Sequence, residues 1–260
     1  MLYAFTTLAY PNLKLIEVVE RVKGFGFDGV ELRVADDGVH VKPSYPVPKE
    51  VKEILREVKL SDLAGYARFS SPDQEEGRRN ADLLRTLISM AAELGAPGIR
   101  VYAGVFKDDA QSATSRVAKA LNAAADFAEK NGVKIMIETH DDVAKLENLM
   151  LLLGKLDERI KLVYDPANMI AAGERHDEVF PKIRGRIAHV HIKDFVVKEG
   201  KRVYCRPGEG IVPIPEILRS LKGIGFTGYV SVEWEKMWHP ELEDSDVILP
   251  VYLKYLRRVG

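Results

Sequence analysis

Four short runs of this 260-residue chain stop on residues that can exchange protons or hold a cation. They are Ile137-Glu138-Thr139-His140, Val163-Tyr164-Asp165-Pro166, Val190-His191-Ile192-Lys193-Asp194 and Val232-Glu233-Trp234-Glu235. Each is an apolar stretch ending in a polar side chain, and their order is Glu, Asp, His, Glu. One polar residue after an apolar strand is ordinary, because strands end where the chain meets water. Asp165 could serve only to start a turn before Pro166. Four in succession, all of types able to share one metal, carry chemical meaning. Three carboxylates and an imidazole suit a hard or borderline divalent cation. Adjacent strands lie about 4.8 Å apart, so inward groups on neighbouring strand ends can converge on one point.

The elements that must position them alternate along the chain. Runs of β character fall near residues 5, 30, 63, 100, 135, 162, 189 and 230. Between them, helices are predicted over Leu13–Lys23, Lys49–Val58, Glu75–Leu94, Ala110–Asn131, Val143–Leu153, Asp177–Ile183, Ile214–Lys222 and Ser245–Arg258. In the first, Leu15, Val18, Val19 and Val22 hold the i, i+3, i+4, i+7 spacing of one helix face. Gly95, with Pro97 beyond it, and Gly132 are stop signals. Eight strands alternating with eight helices, at about 33 residues per βα unit, predict an α/β fold, a single-domain (β/α)8 TIM barrel over residues 1–260. The competing open sheet would carry a Gly-rich phosphate turn after its first strand, and Thr6–Asn12 has none. In a closed barrel the active site lies at the C-terminal strand ends, where the four residues sit.

Composition narrows the classes of partner. The 38 basic and 39 acidic residues give a formal net charge of −1, which excludes a strongly basic nucleic-acid binder. The single cysteine, Cys205, cannot form an intrachain disulfide and fits a reducing compartment. No run approaches the roughly 18 apolar residues of a transmembrane helix. Met1–Thr7 reads as a strand rather than a signal peptide. The expectation is a cytoplasmic protein with neither membrane nor nucleic-acid partner.

The four strand-end runs, with Tyr164-Asp165-Pro166-Ala167-Asn168 and His189-Val190-His191-Ile192-Lys193-Asp194 in full, resemble the sugar phosphate isomerase/epimerase family. This is the xylose isomerase-like barrel superfamily that also includes endonuclease IV. Gly26-Phe27-Asp28-Gly29-Val30-Glu31-Leu32-Arg33 is similar to the family's second-strand signature, and Pro207-Gly208-Glu209-Gly210 is typical before the seventh helix. The resemblance spans essentially the whole chain. It implies that Glu138, Asp165, His191 and Glu233 are ligands of one divalent ion. Mn²⁺ or Mg²⁺ is favoured by the oxygen-rich set, with Co²⁺, Fe²⁺ or Zn²⁺ as competitors. In the family's ketose epimerases Glu138 and Glu233 would also be the catalytic acid and base, on opposite sides of the sugar. The metal then acidifies the C–H between a carbonyl and its neighbouring hydroxyl. One Glu takes the proton to give a cis-enediolate and the other returns one. Family barrels often dimerise, so a homodimer is an open expectation.

The chain departs from the family in two places. The sixth-strand motif often reads Asp-x-x-His, and here Asn168 takes the fourth position; Asn can hydrogen-bond a hydroxyl but does not titrate near neutrality. Ketose epimerases tend to carry an Arg soon after the seventh-strand motif, and here Arg202 and Arg206 come later, Arg206 being preferred because it adjoins the Pro207–Gly210 turn. Other candidate substrate contacts are Glu31, His140, Lys193 and Trp238. Glu31 either meets substrate hydroxyls, supports a ligand or forms a structural ion pair. His140 shares the parity of Glu138, and Lys193 that of His191, with a salt bridge to Asp194 or Glu235 as its alternative. His189 reads as a core histidine and Trp234 as packed under a helix. His40, His176 and His239 read as solvated.

The sequence-level expectation is therefore a divalent-metal-dependent isomerase or epimerase of a small sugar, sugar phosphate or polyhydroxy acid. A dehydratase or lyase on a polyol-derived ketone follows, since an enediolate can also lose water. A non-catalytic sugar-binding barrel and an endonuclease IV-like phosphodiesterase are the remaining classes. The last needs a His-rich trinuclear zinc site, and the chain has six histidines with none at its early strand ends.

Overall fold

A computed structural model describes all of residues 1–260. Eight parallel strands close into a barrel: β1 (Leu2–Thr6), β2 (Gly29–Arg33), β3 (Leu60–Arg68), β4 (Gly98–Tyr102), β5 (Lys134–Glu138), β6 (Lys161–Tyr164), β7 (Ile187–Ile192) and β10 (Tyr229–Val232). The order β1-β10-β7-β6-β5-β4-β3-β2 is the sequential one expected of a (β/α)8 barrel. Helices α1 (Leu15–Phe25), α2 (Lys49–Leu55), α3 (Gln74–Leu94), α4 (Ala110–Lys130), α5 (Leu146–Leu153), α7 (His176–Ile183), α8 (Ile214–Gly223) and α9 (Ser245–Val259) match the eight predicted segments within a few residues. No helix is long and apolar enough to cross a membrane.

Strand parity explains where the core sits. Val30 and Leu32, Ile99 and Val101, Ile135 and Ile137, Val190 and Ile192, Val230 and Val232 all join one apolar cluster shared with the helices. Burying each such side chain contributes roughly 1.5–3 kcal/mol. Their alternating neighbours point the other way and are largely polar: Glu31, Arg100, Glu138, His189, His191 and Ser231, all buried. Glu31 on β2 reaches His189 and His191 on β7 although β1 and β10 lie between those strands. The contact therefore crosses the barrel interior.

Two elements were not expected. The stretch after β7 is not an irregular excursion but an antiparallel hairpin, β8 (Asp194–Lys198) and β9 (Lys201–Cys205), closed by the pair Lys198–Lys201. Its two-residue turn, Glu199-Gly200, has positive φ at both positions (51° and 75°), the geometry of a hairpin turn of the I′ kind. A short helix α6 (Pro166–Ala171) directly follows β6, with Asp165 as its N-cap and Pro166 in its first turn.

The hairpin is anchored through Asp194, which is fully buried. It does not pair with Lys193. Its carboxylate instead accepts from the backbone N–H groups of Phe195, Gly208, Gly210 and Val212 at 2.8–3.1 Å. A Cβ at Gly210 would meet Asp194 Oδ1 at 2.1 Å, so only glycine permits this approach. The Pro207–Gly210 turn thus spends its amides on a protein carboxylate and not on a ligand anion. Asp194→Ala is expected to cost at least about 3 kcal/mol, because hydrogen bonds to charged groups contribute ~1.5–3 kcal/mol each and buried donors would be orphaned. Urea denaturation measures this, and a loss below about 1 kcal/mol would mean that the turn does not depend on Asp194.

Candidate active site

The four strand-end residues meet. One ligand atom from each of Glu138, Asp165, His191 and Glu233 lies within 4.8 Å of the others, and all four side chains are buried. The geometry follows from register: β5, β6, β7 and β10 are consecutive in the barrel; Glu138 ends β5, Asp165 and Glu233 directly follow β6 and β10, and His191 is the last residue but one of β7. His191 Nδ1 is 3.7 Å from Glu138 Oε1 and 3.5 Å from Glu233 Oε1.

These residues fit a cation. His191 Nδ1 is a buried nitrogen with no hydrogen-bond partner, aimed at two carboxylates. Its other nitrogen is held by Glu31 at 3.0 Å, the arrangement that orients a metal-binding imidazole and raises its basicity. Burial would lower the His191 pKa, but Glu31, Glu233 and Glu138 outweigh it and raise the pKa well above the usual range. The same converging negative field favours a metal ion at Nδ1. Of the Glu31 alternatives the structure brings out support of a histidine, because Glu31 lies beneath the cluster, fully buried.

Asp165 divides its oxygens. Oδ1 caps α6 through the Asn168 N–H at 2.9 Å, while Oδ2 receives Asn168 Nδ2 at 2.9 Å and Lys193 Nζ at 3.0 Å. Asn168 Nδ2 also lies 3.2 Å from Glu138 Oε1, so Asn168 bridges two members of the cluster. Lys193 is buried, with its ammonium bonded to Glu233 and 2.9 Å from Glu235 Oε1. Its expected alternative, the pair with Glu235, is present together with contact to the acidic cluster.

The two glutamates occupy different electrostatic surroundings. Burial would raise Glu138, but Arg100, 3.0 Å away, and His191 outweigh it and hold it well below the usual carboxylate range. Burial pushes Glu233 up to about 7, Lys193 and His191 opposing and Glu138 adding to the rise. Deeper in the barrel, burial and then Glu31 push Asp62 up to about 6.

A small chamber of about 110 Å³ opens beside the cluster, lined by Glu233 and Glu235 together with Arg33, Arg100, Tyr66 and Tyr102. His140 and Trp238 both line it. The His140 ring lies tilted against Tyr102, centroids 4.9 Å apart; burial would lower its pKa, but Asp141 and Glu138 raise it. Trp238 is 52% exposed and forms part of the wall over Arg33. Arg206 does not join them. Its guanidinium is turned to Glu243 at 2.6 Å and 3.1 Å on the surface, because the Gly208–Gly210 turn is drawn toward Asp194. Arg202 on β9 instead donates to Asn168 Oδ1 at 3.2 Å, so the hairpin brings the other candidate arginine to the site.

Several neighbouring residues were not expected to line the site. Arg33, Arg100, Tyr204 and Glu235 belong to it. Arg100 carried a readable signal: a charged residue inside Gly98-Ile99-Arg100-Val101-Tyr102 must face the polar interior once Ile99 and Val101 face the helices. His189 is buried against Glu31 as a core histidine, and Trp234 is buried with its indole N–H donating to Glu243 O at 3.0 Å. Two histidines expected to be solvated are not. His176 bonds Tyr164 Oη and Ser220 Oγ, and both ring nitrogens of His40 are buried.

Residues 19–249 match the family described as xylose isomerase-like TIM barrel. An inosose dehydratase of Geobacillus thermodenitrificans is 26% identical over 134 residues, so the alignment spans 45% of this chain and 45% of that one. An inosose isomerase of Bacillus velezensis is 24% identical over 269 residues, 91% of this chain and 87% of the relative. Among solved structures, the IOLI protein with a bound zinc atom superposes with a TM-score of 0.83 at 20% identity, covering 100% of this chain and 99% of that one. D-psicose 3-epimerase of Clostridium cellulolyticum H10, solved with D-tagatose, gives 0.79 at 18% identity over 100% and 99%. These structural likenesses establish a shared fold.

Proposed function

From the premise that this chain belongs to the xylose isomerase-like TIM barrel family, we propose that it is a divalent-metal-dependent isomerase or epimerase of a small carbohydrate-derived substrate. The observation that carries this is the meeting of Glu138, Asp165, His191 and Glu233 around an unpartnered imidazole nitrogen, beside a chamber that Glu233 also lines. Those four residues would hold the ion. When bound, a divalent ion polarises a substrate carbonyl and its adjacent hydroxyl and so acidifies the C–H between them.

The chain's own groups supply the rest. Glu138 and Glu233 approach the cluster from β5 and β10, with β6 and β7 between them. One removes the proton to leave a cis-enediolate, and the other delivers a proton from the opposite side. Return to the same carbon from the other face is epimerisation, and return to the adjacent carbon is isomerisation. Lys193 fixes the position of Glu233, and Arg100 that of Glu138. Asn168, unable to titrate, ties Glu138 to Asp165.

A dehydratase is the second reading, favoured by His140. Its ring lines the chamber outside the ligand set, where it can protonate a departing hydroxyl so that the enediolate expels water. The Geobacillus thermodenitrificans relative bears the name inosose dehydratase, and the Bacillus velezensis relative, with the longer alignment, the name inosose isomerase. Deuterium wash-in from D2O into a panel of ketoses and keto-polyols, with Mn²⁺, Mg²⁺ or Co²⁺ present, tests the step common to both. Exchange at one carbon position is expected. An enone absorbance would select dehydration, and an unlabelled panel would overturn the proton-abstraction chemistry.

A further inference from the structure

We propose that the substrate carries a carboxylate, held between Arg33 and Arg100, which line the same chamber as Glu233 and Glu235. This deepens the function proposed above and rests on it.

Both guanidinium groups are almost wholly withdrawn from water, each residue being 3% exposed. Both flank one ring: their central carbons lie 4.9 Å and 5.2 Å from the Tyr66 centroid. Arg100 also stacks 4.2 Å from Tyr102, and Arg33 lies 5.6 Å from Trp238. The aromatic groups cover guanidinium faces, while recognition of an anion uses the N–H groups in the guanidinium plane.

Those N–H groups are under-used. Arg33 donates three, one to Tyr66 Oη and two to Asp37. Arg100 donates one, to Glu138, and its Nε is buried with no acceptor. With five donors on each guanidinium, most of the Arg100 fork and part of the Arg33 fork have no partner within the protein. Leaving charged donors desolvated and unpaired is costly. Neutral hydroxyls would compensate poorly. A carboxylate presents about four acceptor positions in one plane and makes charge-assisted bonds roughly twice as strong as neutral ones.

A phosphate ester fits less well. The whole chamber is small, at about 110 Å³. The backbone amides best placed to cradle a phosphate, those of Gly208 and Gly210, are committed to Asp194. The substrate class that results is a small polyhydroxy keto acid, its carboxylate toward Arg33 and Arg100 and its carbonyl toward Glu138 and Glu233.

Isothermal titration of the metal-loaded protein with three probes tests this: a hexulose, the hexulosonic acid differing from it only at an oxidised terminal carbon, and the hexulose phosphate. The acid is expected to bind at least tenfold more tightly than the hexulose and more tightly than the phosphate. Arg33→Gln, with circular dichroism as the check on folding, is expected to remove most of that preference. Arg33→Lys is expected to restore only part of it, because an ammonium lacks the planar fork. An acid that binds no better than the hexulose, a phosphate that binds best, or a preference untouched by Arg33→Gln would each overturn the assignment. Deuterium exchange of the same probes separates the two proposals. Exchange into the hexulose without acid preference overturns the carboxylate site and keeps the chemistry, whereas acid preference without exchange into any probe does the reverse.

Discussion

Replacing Glu233 with Gln is expected to lower substrate deuterium exchange by a factor of about 10² to 10⁴, the range that a positioned acid–base group contributes, while the fold survives. The carboxylate is buried, borders the chamber and lies 3.5 Å from His191 Nδ1. Gln keeps its volume and can turn its carbonyl oxygen to Lys193, so packing is preserved. Removing one charge from a cluster that also holds Glu138, Asp165 and Glu235 reduces like-charge repulsion. The thermal midpoint of the metal-free protein should therefore stay within a few degrees. Glu138→Gln would be a poorer experiment. It removes the charge of the only carboxylate bonded to Arg100, a guanidinium buried to 3% exposure; breaking such an ion pair from one side costs about 3–5 kcal/mol and would confuse lost chemistry with lost stability. Mass spectrometry of recovered substrate measures exchange, and a Glu233→Gln protein that exchanges at the wild-type rate would remove Glu233 from the mechanism.

The difference between Arg100 and Arg206 shows how far such a site is legible in sequence. Strand ends are legible because an apolar run of fixed parity terminates visibly, and barrel closure converts chain order into spatial order. That is why Glu138, Asp165, His191 and Glu233 could be named together. Arg206 was preferred over Arg202 on proximity to the Pro207–Gly210 turn. The structure turns that preference round, because a hairpin lies between β7 and α8 and pairing across it decides which side chain returns to the mouth. The signal for that hairpin was faint: Glu199-Gly200 is an uncommon pair for a turn with two positive φ angles, where Asn-Gly or Asp-Gly would have announced it. Arg33 and Arg100 were missed for a different reason. A charged residue at a strand's centre, as Arg100 is, or at its end, as Arg33 is, reads as an interruption or as solvated until the strand's other face is known to be covered by helices. Tertiary burial, which periodicity does not report for the barrel interior, is what makes such a residue a lining group.

Removal of divalent metal is expected to abolish exchange entirely and to lower the thermal midpoint. Native mass spectrometry should find close to one ion per chain, and Mn²⁺ added after chelation should restore both properties. The stability effect follows by mass action: an ion that binds only the folded chain adds about 2.7 kcal/mol at a hundredfold excess over its dissociation constant. Its physical source here is the charge of Glu138, Asp165 and Glu233, which Lys193 and Arg100 offset only in part. Glu31 separates a designed cation site from a mere acidic cluster. It touches His191 Nε2 on the side away from the other ligands, so Glu31→Gln leaves all four ligands in place yet loses the carboxylate that orients and polarises the imidazole. Loss of such a supporting partner typically weakens metal affinity 10–100-fold, readable as a shift in a Mn²⁺ titration of the thermal midpoint. Full exchange by chelated, metal-free protein would overturn the metal requirement. Three zinc ions per chain would restore the phosphodiesterase class to contention. An unchanged Mn²⁺ titration in Glu31→Gln would mean that His191 is presented to the cluster by the strand alone, with Glu31 serving only to neutralise the barrel interior.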